Sequence, residues 1–374
     1  MPATPPPVPE QTPGRPVLGA YHSFEHADDH DSANLLELDY TSLAKALPYR
    51  GPVVDIHTHV TSPKAAELYL EVAERFNVVK TFTMTGLPHA RRLAPLVGEK
   101  IEFMCVPDFL AKDTPGTFTT QWLDDIRAFV EELGCRVVKL WAAPRVVDLA
   151  EDVPDASFSV EEAKLGSQLR RRGVELAYDL GVRTFMTHVA DPDTWFATAY
   201  ADASRYGTKR QQYEPLEKLL DDFSDCTWIG AHMGGSPEDL DFLQGLLDRH
   251  SNYVVDTSAC KWQIRELSRH PEQFAAFCRR NAGRVLFGTD IVASEQMNQI
   301  GDDLFASRWW TLRTLIETDY DGPSPIVDPD FHQVDPSIPL RSSAHLRGAA
   351  VDPTLWPGLY HDTAAALFAD LGGL

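Results

Sequence analysis

The sequence predicts an α/β fold closed as a (β/α)8 TIM barrel. Three observations lead there. Eight short β-branched or apolar runs alternate with amphipathic stretches, no Gly-x-Gly-x-x-Gly fingerprint marks a doubly wound sheet, and five ligand-type side chains terminate four of the runs. Those five are His57, His59, His188, His232 and Asp290, and barrel enzymes carry their chemistry at the carboxyl ends of the strands.

The runs fall, in order, at residues 53–60, 78–86, 101–109, 136–144, 183–190, 227–235, 253–260 and 284–292. Amphipathic stretches at 63–76, 119–133, 159–180, 214–223, 237–250 and 271–281 separate them, so parallel βαβ units follow. Before the barrel (residues 51–320), a proline-rich disordered arm is expected over 1–17. An extension over 18–50 holds His22, His26 and His30 and a helix predicted at 33–47. After it, residues 321–374 read as a wrapping tail, proline-rich and extended over 321–357, with a terminal helix at 360–371.

With 374 residues, 43% apolar and 24% charged, the chain has the composition of a soluble globular protein. No apolar stretch reaches the ~20 residues of a membrane span. A formal charge of −21 argues against nucleic acid as a partner, because phosphate binding needs a basic footprint. A small-molecule substrate is expected instead, with a local basic cluster at the site if that substrate is anionic. Five cysteines without a CxxC pair favour a reduced, cytoplasmic setting.

Residues two apart in a strand share a face, so His57 and His59 in Val-Val-Asp-Ile-His-Thr-His converge at the end of the first run. Imidazole nitrogens with a carboxylate suit one divalent cation, zinc or manganese, with a position left open for substrate. On the fourth run, Val137-Val138-Lys139-Leu140-Trp141, apolar Val138 and Leu140 should face the helices and leave Lys139 and Trp141 inward. Around the mouth, Trp141, Arg145, Trp195, Lys261, Trp262, Arg265 and Arg308 follow predicted strands. Guanidinium and ammonium groups bind carboxylates and indoles bind planar rings, so Lys139, Trp141, Arg145, Trp195, Lys261 and Arg265 are candidate substrate contacts. Each of them also reads as an ordinary packing residue.

The order His57-x-His59, His188, His232, Asp290 resembles the amidohydrolase superfamily of metal-dependent barrels. The phrases Ala231-His232-Met233-Gly234-Gly235, Asp256-Thr257-Ser258, Arg284 to Asp290 and Tyr360-His361-Asp362-Thr363-Ala364-Ala365 resemble, more closely, the amidohydrolase-related branch. That branch includes aminocarboxymuconate-semialdehyde decarboxylase and γ-resorcylate decarboxylase. The likeness runs over residues 51–371 and departs at Thr363, where the branch usually has asparagine, and in the long segments after the fifth and eighth runs. It implies that His57, His59, His188 and Asp290 hold the metal, that Asp290 and His232 are catalytic, and that a homodimer is a common assembly. It also implies hydrolysis or non-oxidative decarboxylation of a small carboxylate-bearing substrate, aromatic or unsaturated, two reactions that share one ligand set. In some superfamily barrels a lysine on the fourth strand is carbamylated and bridges a second metal; a lysine paired with a carboxylate, or one touching substrate, is the alternative for Lys139. A metal phosphoesterase of the same superfamily and a non-catalytic binding barrel are the competing functions.

Overall fold

The structure, a computed structural model, describes residues 30–107, 120–151, 159–369 and 371. The expected arm over 1–17, His22 and His26 lie outside the described residues, as does the His30 side chain. The strands of the barrel are β1 (Val53–Val60), β2 (Val78–Met84), β3 (Ile101–Met104), β4 (Val137–Trp141), β5 (Thr184–His188), β6 (Thr227–Gly230), β7 (Tyr253–Asp256), β8 (Val285–Leu286) and β9 (Ile291–Ala293). They pair in parallel as two sheets, ordered β3-β2-β1-β9 and β4-β5-β6-β7-β8.

Two seams join these sheets. At the first, Cys105, just past β3, donates its N–H to Val137 O and accepts from Lys139 N at 2.9 and 2.8 Å. At the second, Ile56 N donates to Phe287 O at 2.9 Å and Asp290 N donates to His57 O at 2.8 Å. β8 and β9 are thus two halves of one interrupted eighth strand between β7 and β1, and the ring closes as a (β/α)8 barrel.

Helices form where apolar residues recur on one face. Leu240–Arg249 buries Leu240, Leu243, Leu246 and Leu247, and Asp239 caps it by accepting from Phe242 N at 3.0 Å. Val54, Ile56, Phe82, Met104, Val137 and Ile229 belong to a cluster inside the ring, whereas Val53, Val138, Leu140 and Phe185 join the core between strands and helices. Strand β1 does not keep one alternation throughout. Between Asp55 and Thr58 its register with β2 slips by one residue, a bulge after which the histidines take the inward positions that Val54 and Ile56 held before it.

Helix Asp302–Glu317 is buried from Leu304 to Glu317, on every face. Its outer side is covered by the N-terminal extension and by a hairpin of β10 (Asp321–Val327) and β11 (Ser343–Arg347). That hairpin corrects the expectation of an extended tail over 321–357. Pro323 and Pro325 sit in β10 of a ribbon with only two strands, where missing donors are tolerated. The helix expected at 33–47 is split into His30–Ala33 and Tyr40–Ala46. Between them Asn34 brackets a turn with Leu38, and Asp39 begins the second helix by accepting from Thr41 N and Ser42 N. The terminal helix expected at 360–371 is a π-turn over Gly358–Asp362 followed by Thr363–Leu367. No helix among the described residues is long and apolar enough to cross a membrane.

Helix packing makes one glycine indispensable. A Cβ on Gly173, in helix Gln168–Asp179, would lie 2.1 Å from the Trp122 ring of helix Thr120–Leu133. Gly→Ala inside a helix ordinarily gains about 0.5–1 kcal/mol. Here Gly173→Ala is expected to lower unfolding stability by about 1–3 kcal/mol through overpacking, as read by urea titration.

Candidate metal centre

The site begins with Asp55, which ties β1 to the eighth strand. Its carboxylate accepts from Thr289 N at 3.1 Å, Thr289 Oγ1 at 2.7 Å, Trp309 Nε1 at 3.0 Å and His57 N at 3.3 Å. Burial nevertheless pushes its pKa up to about 7. This clasp brings β1 so close to the eighth strand that a Cβ on Gly288 would stand 2.9 Å from His57 Cβ. Asp290, two residues on, takes a left-handed φ of 62°. His232, Met233 and Ala259 do the same at 59°, 53° and 64°, so non-glycine strain gathers around one end of the barrel.

His57, His59 and Asp290 meet there. His59 Nε2 lies 3.1 Å and His57 Nε2 3.4 Å from Asp290 Oδ1, and the candidate ligand atoms of the three all lie within 4.8 Å of one another. Burial alone would push Asp290 up, but hydrogen bonds from His57 and His59 outweigh it and hold the carboxyl well below the usual range. The other nitrogen of His57, Nδ1, faces Asp256 Oδ2 at 2.8 Å and Ser258 Oγ at 3.0 Å. Burial and Lys139 push His57 down, yet Asp256 and Asp290 leave it raised overall. His57, His232 and Asp256 form a second group of ligand-type atoms within the same limit.

His232 follows β6 and is fixed at its backbone by Asp256, which accepts from its N–H at 2.9 Å. Its Nδ1 is 2.8 Å from Ser258 Oγ. Burial drives this imidazole well below its ordinary pKa, so it is neutral. His188, at the end of β5, stands with its ring centroid 4.4 Å from that of His232. Its Nε2 faces Asp191 Oδ1 at 2.7 Å, and it is not one of the residues in either ligand group.

Lys139 is buried, and its Nζ has no hydrogen-bond partner among the described residues. The expectation that it pairs with a carboxylate is therefore corrected, although Asp256 and Asp290 are near enough to act through space. Burial pulls its pKa down to about 8 against their attraction. Trp141 is half-buried and meets His188 edge-on at 6.3 Å, and Trp262 meets His188 and His232 at 6.1 and 5.4 Å. Arg145 and Lys261 are half-buried beyond β4 and β7.

Two expected substrate contacts have other engagements. Arg265 is only 4% exposed and donates to Glu266 Oε1 at 2.7 Å, Asp328 Oδ2 at 2.5 Å, Asp330 Oδ2 at 3.0 Å and Thr194 Oγ1 at 3.3 Å. Four of its five N–H donors are engaged inside the protein and the side chain is buried, so its placement at the mouth is corrected to an internal clamp. Trp195 is buried and donates from Nε1 to the same Asp330 at 2.9 Å. Asp55, Asp191, Asp256 and Ser258 had no role assigned from the sequence, although Asp256 and Ser258 stand in one of the phrases that carry the family resemblance. Asp256 ends the β7 run just as Asp290 ends the eighth, and that position was the signal available for it.

Comparison with known proteins bears on this arrangement. The sequence model of the amidohydrolase family matches residues 107–369, more than half of the chain. The chain belongs to the amidohydrolase family. The matched span of this amidohydrolase includes His188, His232 and Asp290, while His57 and His59 precede it. No curated protein matches the sequence. Solved structures similar to this amidohydrolase include an apo protein from Agrobacterium tumefaciens, at 12% identity and a TM-score of 0.45, covering 86% of this chain and 97% of the other. An amidohydrolase from Burkholderia multivorans with bound HEPES has 12% identity and a TM-score of 0.46, covering 85% and 99%. The 5-carboxyvanillate decarboxylase LigW from Sphingomonas paucimobilis has 11% identity and a TM-score of 0.38, covering 85% and 99%.

Proposed function

We propose that this amidohydrolase is a metal-dependent enzyme of the cytoplasm that hydrolyses or non-oxidatively decarboxylates a small carboxylate-bearing substrate. The observation that carries the reading is the convergence of His57, His59 and Asp290 at one barrel end, close to the buried Lys139 ammonium, which has no hydrogen-bond partner among the described residues. Two imidazole nitrogens and a carboxylate oxygen within 4.8 Å are a donor set that fits zinc or manganese. His57, His59 and Asp290 would hold the ion, with His188 as a further ligand, and the ion would supply Lewis acidity.

The chain's own groups divide the remaining work. Asp290, kept ionised, accepts or returns a proton at its carboxylate. His232 has Nδ1 turned to Ser258, so Nε2 is the nitrogen that meets a substrate oxygen. Lys139 receives the substrate carboxylate, which gives its Nζ a hydrogen-bond acceptor that the described residues do not supply. Trp141, Arg145 and Lys261 line the approach.

Lys139→Met is expected to raise KM for an anionic substrate about 10–100-fold, the equivalent of a charge-assisted hydrogen bond, with a smaller change in kcat. The ammonium loses its charge as pH rises through about 8, so KM of the wild type should climb above that pH and KM of the variant should not. Equal KM values in steady-state assays across pH 6–9 would remove Lys139 from substrate binding. Screening small carboxylates in 18O-labelled water tests the reaction: label in the product without carbon dioxide marks hydrolysis, carbon dioxide without label marks decarboxylation, and neither with any of them refutes the proposal.

A further inference from the structure

We infer that Asp191 and Tyr200 are positioning residues for the metal centre, fixing the His188 ring so that Nδ1 is the nitrogen presented to the cation. This rests on the metal-dependent reading above. An imidazole with one nitrogen held by a carboxylate has a defined orientation and a more basic second nitrogen, which is how ligand histidines are tuned. The structure already shows that device on β1, where Asp256 holds His57 Nδ1 at 2.8 Å and Nε2 is turned to Asp290.

On β5 the arrangement is its counterpart with the nitrogens exchanged. Asp191 Oδ1 lies 2.7 Å from His188 Nε2, and its other oxygen, Oδ2, accepts from Tyr200 Oη at 2.5 Å. Asp191 and Tyr200 are each only 2% exposed and His188 9%, so water does not compete for these bonds. Tyr200 is itself held: its N–H donates to Trp195 O at 2.8 Å, and its ring packs against Trp195, Phe196 and Tyr206 at 5.7, 5.3 and 5.1 Å. The carboxylate is thereby gripped on both oxygens, and the imidazole cannot turn without breaking a buried bond.

The test is metal affinity rather than turnover. Chelator-stripped wild type, Asp191→Asn and Tyr200→Phe are titrated with zinc and with manganese against a competing indicator, and visible spectra are recorded after cobalt(II) loading. Asp191→Asn is expected to weaken binding about 10–100-fold. Tyr200→Phe should weaken it less, in the same direction, and both should alter the cobalt spectrum. If Asp191→Asn fails to fold, Tyr200→Phe decides alone, since it deletes one hydroxyl and leaves the ring packing. Wild-type affinity and an unchanged spectrum in the folded variants overturn the inference and leave the proposed function standing, whereas a wild type that takes up no metal overturns both.

Discussion

Replacing Asp290 with asparagine is expected to lower kcat/KM by about 10²–10⁴-fold, the range for removing a positioned acid–base group. The amide keeps the shape of the side chain but cannot take a proton, and it offers His57 and His59 no negative charge. Because those two histidines hold the native carboxyl well below its usual range, Asp290 is ionised across the neutral region and its loss should be equally severe from pH 6 to 8. Steady-state kinetics of the variant, once a substrate is in hand, decide the matter. Activity within threefold of wild type would contradict the role.

The largest effect on stability is expected from Arg265→Met, at about 3–5 kcal/mol, the cost of leaving buried charges without a partner. Asp328, Asp330 and Glu266 all lean on that guanidinium, and Asp330 also accepts from Trp195 Nε1. The clamp thus links the segment after β10 to the loop beyond β5. Burial already pushes Asp328 up to about 6 with the arginine present. Without the arginine, Asp328 should shift higher still. An acid whose folded pKa exceeds its unfolded value of about 4 binds more protons when folded, so stability falls as pH rises through that window. The penalty of Arg265→Met should therefore be smaller at pH 5 than at pH 8, as measured by urea unfolding at both. A loss under 1 kcal/mol that does not vary with pH would show that the network contributes little.

These two residues also show what the sequence could and could not convey. Asp290 was legible because it ends an apolar run, and in a parallel barrel that position faces the mouth. The barrel itself was legible for the same reason, as eight buried strands leave eight apolar runs. Arg265 looked like a substrate contact because it follows β7, and two of the three acids that engage it lie 63 and 65 residues farther along. Strand β1 makes the point at closer range. Alternation places His57 and His59 on one face, but strict alternation would then turn Val54 and Ile56 outward. The bulge that lets both pairs face inward accompanies the Asp55 clasp on Thr289 and Trp309, contacts that span more than 230 residues. Asp191 was hidden differently, since nothing in His188-Val189-Ala190-Asp191 distinguishes an acid that turns back on the imidazole from one that faces solvent.

The most direct measurement of the central claim is the metal content of purified protein, before and after chelation and reconstitution, with His57→Ala alongside. About one zinc or manganese ion per chain is expected, lost in the variant. Two ions per chain would assign Lys139 to a bridge between them instead of to the substrate. A wild type that holds no metal and takes none up, or a variant that binds as well as wild type, would contradict the claim that His57, His59 and Asp290 form a metal centre.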